Sequence, residues 1–146
     1  MCSVQGVPYT LQSFMLTLSV LPGEYAVCQL SPDQPVPAWV SAGELFSVTR
    51  TPEELSVVCA ASSVPAGIRQ AAGWSALKLH GAFDFALTGI LAGVLGPLHT
   101  AGVGIFAFST FDTDYVLVQA AQLEQAVSAL RGAGHTVVEQ TVHSSA

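Results

Sequence analysis

The sequence predicts an α+β protein of two βαββαβ modules with antiparallel sheets, the N-terminal module degenerate, and three observations predict it. Residues 45–58, LFSVTRTPEELSVV, overlay residues 105–118, IFAFSTFDTDYVLV, without a gap at an offset of 60. Phe46 then falls on Phe106, Thr49 on Ser109, Glu54 on Asp114 and Val58 on Val118. Each copy has an alternating apolar strand, a polar tip, an acid and a second apolar strand, the pattern of a β-hairpin with a longer loop. Around the second copy the chain reads strand 74–80, helix about 86–99, hairpin 103–118, helix 122–132 and strand 135–141. That order gives an antiparallel sheet with both helices on one face, a ferredoxin-like layer. Finally, hydrophobic residues make up 51% of the 146 and charged residues 10%, so a substantial core is expected rather than disorder.

In chain order, FMLTLSV (14–20) falls near the strand-like SALKL (75–79) at the same offset, and YAVCQL (25–30) reads as an extra strand. Where the other half has its first helix, SPDQPVPAWVSAGE (31–44) carries three prolines, which limit it to a turn or two. SSVPAGIRQAAG (62–73) falls near the helical QLEQAVSALRGAG (122–134). In that second helix Gly134 is placed to stop the helix, and Arg131 sits in the last turn, where the dipole favours a cation. Leu123, Val127 and Leu130 have the spacing of a core stripe. Phe106, Phe108 and Phe111 read as core, and Trp39 and Trp74 as wedges between the halves. The modules are expected at 12–70 and 71–141. Each is too small to bury much alone, so the two should pair in one body.

Charge narrows the function classes. Net charge is −6, and only four residues are Lys or Arg. They are scattered, so no basic patch exists to release counterions, and nucleic acid is not an expected partner. The three cysteines, Cys2, Cys28 and Cys59, show no CxxC spacing, and the N-terminus has no basic n-region. The expectation is a cytoplasmic chain with Cys28 and Cys59 as small reduced core residues. No charged residue occurs from Phe85 to Phe111, long enough to span a bilayer. GPLHTAGVG (96–104) breaks that run with a proline and three glycines, so a membrane span is not expected. Neither HxxH nor HExxH spacing joins His80, His99, His135 and His143, and no GxSxG, GxGxxG or P-loop is present. No metal, no cofactor and no catalysis are expected. Asp84 or Asp112 as an acid/base would need a tuned pKa and a substrate in reach.

Two places could bind a ligand. GAFDFALTGILAGVLGPL (81–98) leaves a strand and opens a helix, with Gly81 freeing the strand exit and Thr88 and Gly89 at the first turn. Backbone N–H groups there lack intrahelical partners and suit a carboxylate or phosphate. The plainer reading is that Asp84 caps the helix and the glycines pack it on the sheet. In the hairpin, Ser109, Thr110, Asp112 and Thr113 form the tip and Asp114 opens the return strand. Asp112 reads as a solvated turn residue. Asp114, with Glu54 as its repeat partner, could hold an ammonium while the helix start holds a carboxylate. Its plainer reading is an edge carboxylate satisfied by loop amides.

GAFDFALTGILAGVLGPLHTAGVGIFAFSTFDTDYVLV (81–118) resembles the ACT-domain segment of small bacterial tandem-ACT proteins. It is similar too to the aspartokinase regulatory region and the CASTOR arginine sensors. LFSVTRTPEELSVVC and VPAGIRQAAGWSALKLHG resemble the upstream module of the same small proteins, and the likeness covers about residues 14–136. The resemblance implies paired modules that bind an amino acid at an interface. Phe85, Ala86, Leu87, Thr88 and Gly89 would supply backbone contacts, Asp114 the acidic pole, and Ser109 and Thr110 further contacts. DFAL at 84–87 departs from the glycine and acid of the arginine sensors, so arginine is not implied. Two modules rather than four imply a homodimer face, and a regulated protein reached in trans. The alternative is a ligand-free oligomerisation or interaction module acting on a metabolic enzyme.

Overall fold

Strand alternation decides which side chains this molecule buries on which face. The computed structural model describes residues 15–81 and 89–139. Its strands are β1 (Thr17–Val20), β2 (Tyr25–Leu30), β3 (Ser47–Arg50), β4 (Leu55–Ala60), β5 (Gln70–Leu79), β6 (Ile105–Ser109), β7 (Asp114–Gln119) and β8 (Thr136–Glu139). The helices are α1 (Ile90–Thr100) and α2 (Leu123–Gly132), with 3₁₀ turns at Ala38–Ala42, Ala61–Ser63 and Ala120–Gln122. All described strands join one sheet.

β5 belongs to both halves. Its first residues pair antiparallel with β2 (Tyr25 opposite Trp74, Cys28 opposite Gln70) and its later ones with β7 (Trp74 opposite Gln119, Lys78 opposite Tyr115). The N-terminal half runs β5-β2-β4-β3, and the C-terminal half runs β6-β7-β5-β1-β8. Two modules are therefore laid edge to edge, each opening on a central strand whose hairpin lies beside it.

The structure corrects the element order at two points. YAVCQL is not the extra strand: β2 is the first strand of the N-terminal module, as β5 is of the C-terminal one. The added strand is β1, which slots between β5 and β8, antiparallel to one and parallel to the other. Residues 62–73 also form no counterpart of α2. A three-residue 3₁₀ turn ends at Ser63, and β5 begins at Gln70, four residues before its expected start.

One face of the sheet is covered. In the C-terminal half α1 and α2 lay Ile90, Val94, Leu98, Val127 and Leu130 on Leu18, Leu77, Leu79, Val116 and Val118. Burying each such side chain is worth roughly 1.5–3 kcal/mol. In the N-terminal half the same face is covered by irregular chain, where Val40 packs on Cys28, Leu55, Val57 and Cys59, with Trp39 at the margin. The three prolines expected to forbid a helix here leave only the 3₁₀ turn Ala38–Ala42.

α1 carries Pro97 near its C-terminal end. Proline has no N–H for the carbonyl four residues earlier, that of Gly93. His135 fills the gap: its Nε2 lies 2.9 Å from the Gly93 oxygen, and its Nδ1 accepts the Leu16 N–H at 3.1 Å. Those partners fix the neutral tautomer with the proton on Nε2. α2 ends as expected, with Gly134 at φ 99° and Arg131 donating to the Val137 carbonyl at 2.7 Å.

The other face holds Tyr25, Val58, Ala76 and Leu117, ringed by half-buried Trp74, Phe106, Phe108 and Tyr115. Among the described residues no helix residue belongs to this cluster. Trp74 lies at the junction of the halves, tilted on Phe106 at 6.3 Å, and Phe108 stacks on Tyr115 at 5.4 Å. Phe111 is not core as expected: it sits at the hairpin tip, 81% exposed. Among the described residues no helix is long and apolar enough to cross a membrane.

Candidate functional site

The hairpin tip is a threonine turn. Thr110 N–H donates to the Thr113 carbonyl at 2.8 Å, and Thr113 N–H donates to Thr110 Oγ1 at 3.2 Å. The tip of β3–β4 repeats both bonds: Thr51 N–H donates to the Glu54 carbonyl at 2.9 Å, and Glu54 N–H to Thr51 Oγ1 at 3.1 Å, with Glu53 N–H added on the same oxygen at 3.1 Å. Arg50 faces Leu55 across one hairpin, and Ser109 faces Asp114 across the other. Thr51 therefore corresponds to Thr110, and Leu55 to Asp114.

The true offset between these hairpins is 59, from 51 to 110 and from 55 to 114, and not the 60 expected. A one-residue slip moves every side chain to the other face. Glu54 is thus the counterpart of Thr113 and no partner of Asp114. Its carboxylate instead accepts from Gln29 Nε2 at 3.3 Å.

Alternation puts Asp114 on the covered face, two and four residues ahead of Val116 and Val118, which share the core cluster with α1. Its carboxylate accepts the Ser109 hydroxyl. Gly89, at φ 84°, is the N-cap of α1 and offers no side-chain cap, so the helix begins at Ile90. Phe85, Ala86, Leu87 and Thr88, and Asp84 with its expected role as helix cap, lie outside the described residues. Thr113 is buried and donates from Oγ1 to the Leu79 carbonyl at 2.6 Å, tying the tip to the end of β5. Gly81 leaves β5 at φ 118°, the freedom expected of it. A cleft of about 370 Å³ opens there, lined by Lys78, His80, Gly81, Thr110, Asp112, Thr113 and Tyr115.

A larger cleft of about 740 Å³ lies on the helix-free face. Its walls are the β1–β2 turn (Leu21, Pro22, Gly23, Glu24), Tyr25, Glu44, Leu45 and the end of β4, and Lys78 and Tyr115 come from β5 and β7. Both halves contribute. Burial raises the Tyr25 phenol above its ordinary range, and the nearby Glu44 carboxylate and Tyr115 raise it further. Sequence reasoning missed this cleft, because its residues come from five separated segments. The one signal was Lys78, a lone cation between two leucines in a strand.

Among the described residues no cluster could hold a metal ion. Cys28 and Cys59 are buried free thiols, as expected. Burial pushes both up, Cys59 to about 11.

An ACT-domain family model matches residues 71–132, and a model of an N-terminal domain matches residues 23–67. The chain is similar to a crystal structure of an Agobacterium tumefaciens protein at 41% identity and TM-score 0.84, covering 89% of this chain and 97% of that one. A Vibrio cholerae protein shares the fold at 23% identity and TM-score 0.68, with 85% and 92% covered. So does the regulatory subunit of aspartate kinase from Thermus thermophilus, at 12% identity and TM-score 0.57, with 80% and 96% covered. No curated protein matches the sequence. The chain belongs to the ACT-domain family, in the two-module fold that it shares with aspartate kinase regulatory subunits.

Proposed function

We propose that this is a non-catalytic regulatory protein of the cytoplasm that holds an amino acid at an interface between ACT modules, those of this chain being 12–70 and 71–141. The matched segments 23–67 and 71–132 support that division, with β5 shared between the two. The observation that carries the reading is the covered face. Asp114 stands there ahead of the residues that pack on α1, and α1 starts at a glycine without a side-chain cap.

In this reading the backbone N–H groups of Phe85, Ala86, Leu87, Thr88 and Gly89, the residues that lead into α1, take the ligand carboxylate beside a helix start, whose dipole suits an anion. Asp114 takes the ammonium, Ser109 orients it through the hydroxyl it already donates, and Thr110 holds the tip. A ligand gripping elements that share β5 shifts a partner's affinity only by its differential binding to two states. Titration calorimetry with the twenty free amino acids tests this. At least one should bind, about tenfold more weakly after Asp114→Ala. No heat and no melting shift with any of them would sink the reading.

A second reading is favoured by the face on which, among the described residues, no helix lies, and by β6, which among them pairs on one edge only. An unpaired edge beside an aromatic surface suits a second copy or a metabolic enzyme. A dimer stable without ligand and indifferent to Asp114→Ala, measured by light scattering, would favour it.

A further inference from the structure

The smaller cleft, of about 370 Å³ at the end of β5, gathers hydrogen-bond donors from two neighbouring strands of the C-terminal half. Leu77 and Leu79 belong to the core under the helices, so alternation turns Lys78 and His80 to the opposite face. Two residues apart on one strand, their Cα atoms stand about 7 Å from each other. Tyr115, the pairing partner of Lys78, enters from β7, and Asp112 lines the cleft from the exposed tip. His80 is held in place, because its Nε2 bonds the hydroxyl of Ser19, which is 2% exposed on β1. When Ser19 gives its proton to that bond, Nδ1 carries the ring's own and serves as a donor. Buried Thr113 ties the tip to the strand that carries Lys78 and His80. Lys78 is the single lysine of the chain and is half-buried. Among the described residues the ion pair within 4.0 Å is Arg131–Glu139, so the ammonium meets none of their carboxylates. A half-buried ammonium without a counter-ion loses hydration that an anion can replace.

We propose that this cleft binds a small, soluble phosphomonoester that also carries a hydroxyl. The phosphoryl oxygens lie on Lys78, His80 and the Tyr115 phenol. Donors converging from two strands suit a tetrahedral oxyanion with three free oxygens better than a planar carboxylate with two. Asp112, an acceptor only, repels a bare anion and takes the hydroxyl of the ester's organic part. Gly81, at φ 118°, adds main chain with no side chain to fill the space. The volume sits at the small end of ligand sites, which usually measure about 300–1,000 Å³. The site lies within the C-terminal half, and Tyr115 and Asp114, adjacent in β7, point to opposite faces of the sheet. It therefore does not depend on a ligand at Gly89 and Asp114.

The experiment titrates the full chain with inorganic phosphate, glycerol phosphate, acetate and glycerol, each to about 10 mM at constant ionic strength. The readouts are calorimetric heat and the chemical shifts of His80 and Tyr115. Both phosphates should saturate and shift both residues, with the ester bound about threefold or more tighter, and acetate and glycerol should not saturate. Lys78→Met should weaken both phosphates about tenfold or more. Asp112→Ala, a change at the exposed tip, should abolish the ester's advantage and tighten inorganic phosphate, a pair of effects that loss of the fold cannot mimic. Asp114→Ala should change neither affinity. Phosphatidylglycerol vesicles should not sediment the chain, whose net charge of −6 opposes an anionic surface. Absence of saturable binding by both phosphates overturns the proposal, as does a folded Lys78→Met variant that keeps full affinity. Equal affinity for phosphate and its ester, loss of binding in Asp114→Ala, or sedimentation with the vesicles overturns it too.

Discussion

The hairpins β3–β4 and β6–β7 close on the same threonine turn and then part company. After the turn the first hairpin places Leu55, fully buried, and the second places Asp114, half-buried and bonded to Ser109. The N-terminal half therefore spends this covered-face position on packing, and the C-terminal half leaves it polar. The backbone repeat outlasts the side-chain repeat, because turn hydrogen bonds need only one hydroxyl while a core position needs a shape.

The largest effect should come from exchanging these residues. Leu55→Asp puts a carboxylate into a fully buried site beside Val57 and Cys59, while Arg50 across the hairpin is turned to the Pro32 and Gln34 carbonyls. It should cost about 4 kcal/mol or more in urea unfolding. Asp114→Leu loses one hydroxyl contact and gains apolar area, so it should stay within about 1 kcal/mol. Comparable costs for the two would break the contrast.

The covered faces differ next. Among the described residues only the C-terminal half carries α-helices there, and α1 depends on His135 to satisfy the Gly93 carbonyl that Pro97 leaves open. His135→Ala should cost about 2–3 kcal/mol by stranding that carbonyl and the Leu16 N–H. Adding Pro97→Ala supplies an N–H from within the helix and should recover part of the loss. Strict additivity of the two changes, measured in a double-mutant cycle, would show that His135 acts elsewhere.

Alkali should single out the other half. Tyr25, Cys28 and Cys59 are all raised chiefly by burial, Cys59 from an ordinary 9.0 to about 11, and all three lie in the N-terminal half. A raised folded pKa gives stability that is whole below the unfolded value and is lost as pH climbs through the folded one. Unfolding free energy should therefore fall between pH 9 and about 11, by on the order of 2 kcal/mol. Cys59→Ala, less stable at pH 8, should show a shallower fall. An unchanged slope in that variant would remove the thiol from the account.

The C-terminal half was legible because its signals are local. Alternation marks β6 and β7, Leu123, Val127 and Leu130 mark one helix face, and Gly134 stops α2. The N-terminal half was harder, since β1 pairs with β8 across most of the chain and nothing in TLSV announces a distant partner. The overlay of hairpins failed by one residue because Phe46 and Phe106 look alike, yet Phe46 lies outside its strand. That slip lent Asp114 an acidic partner that the fold does not give it. Lys78 failed the opposite way: a lone cation between two leucines marks it in sequence, but the cleft it lines is assembled from segments far apart in the chain.

The register of 59 can be tested by the smallest change of all. If Thr51 and Thr110 occupy one equivalent position, removing each hydroxyl frees the N–H three residues on, and at Thr51 the exposed Glu53 N–H as well. Thr51→Val frees the Glu54 N–H, and Thr110→Val frees the Thr113 N–H. Each tip is near solvent, so water replaces part of what is lost and each variant should cost about 0.5–1.5 kcal/mol. The two costs should agree within about 0.5 kcal/mol, and the double variant should be additive, because the tips share no partner. Thr49→Val and Ser109→Ala serve as the contrast, being the pair that the offset of 60 matches. Ser109 loses its bond to Asp114, while Thr49 faces Ser56 within the ladder, so their effects should differ. Should Thr49 and Ser109 respond alike while Thr51 and Thr110 do not, the two hairpins would be related by the sequence overlay and not by the turn.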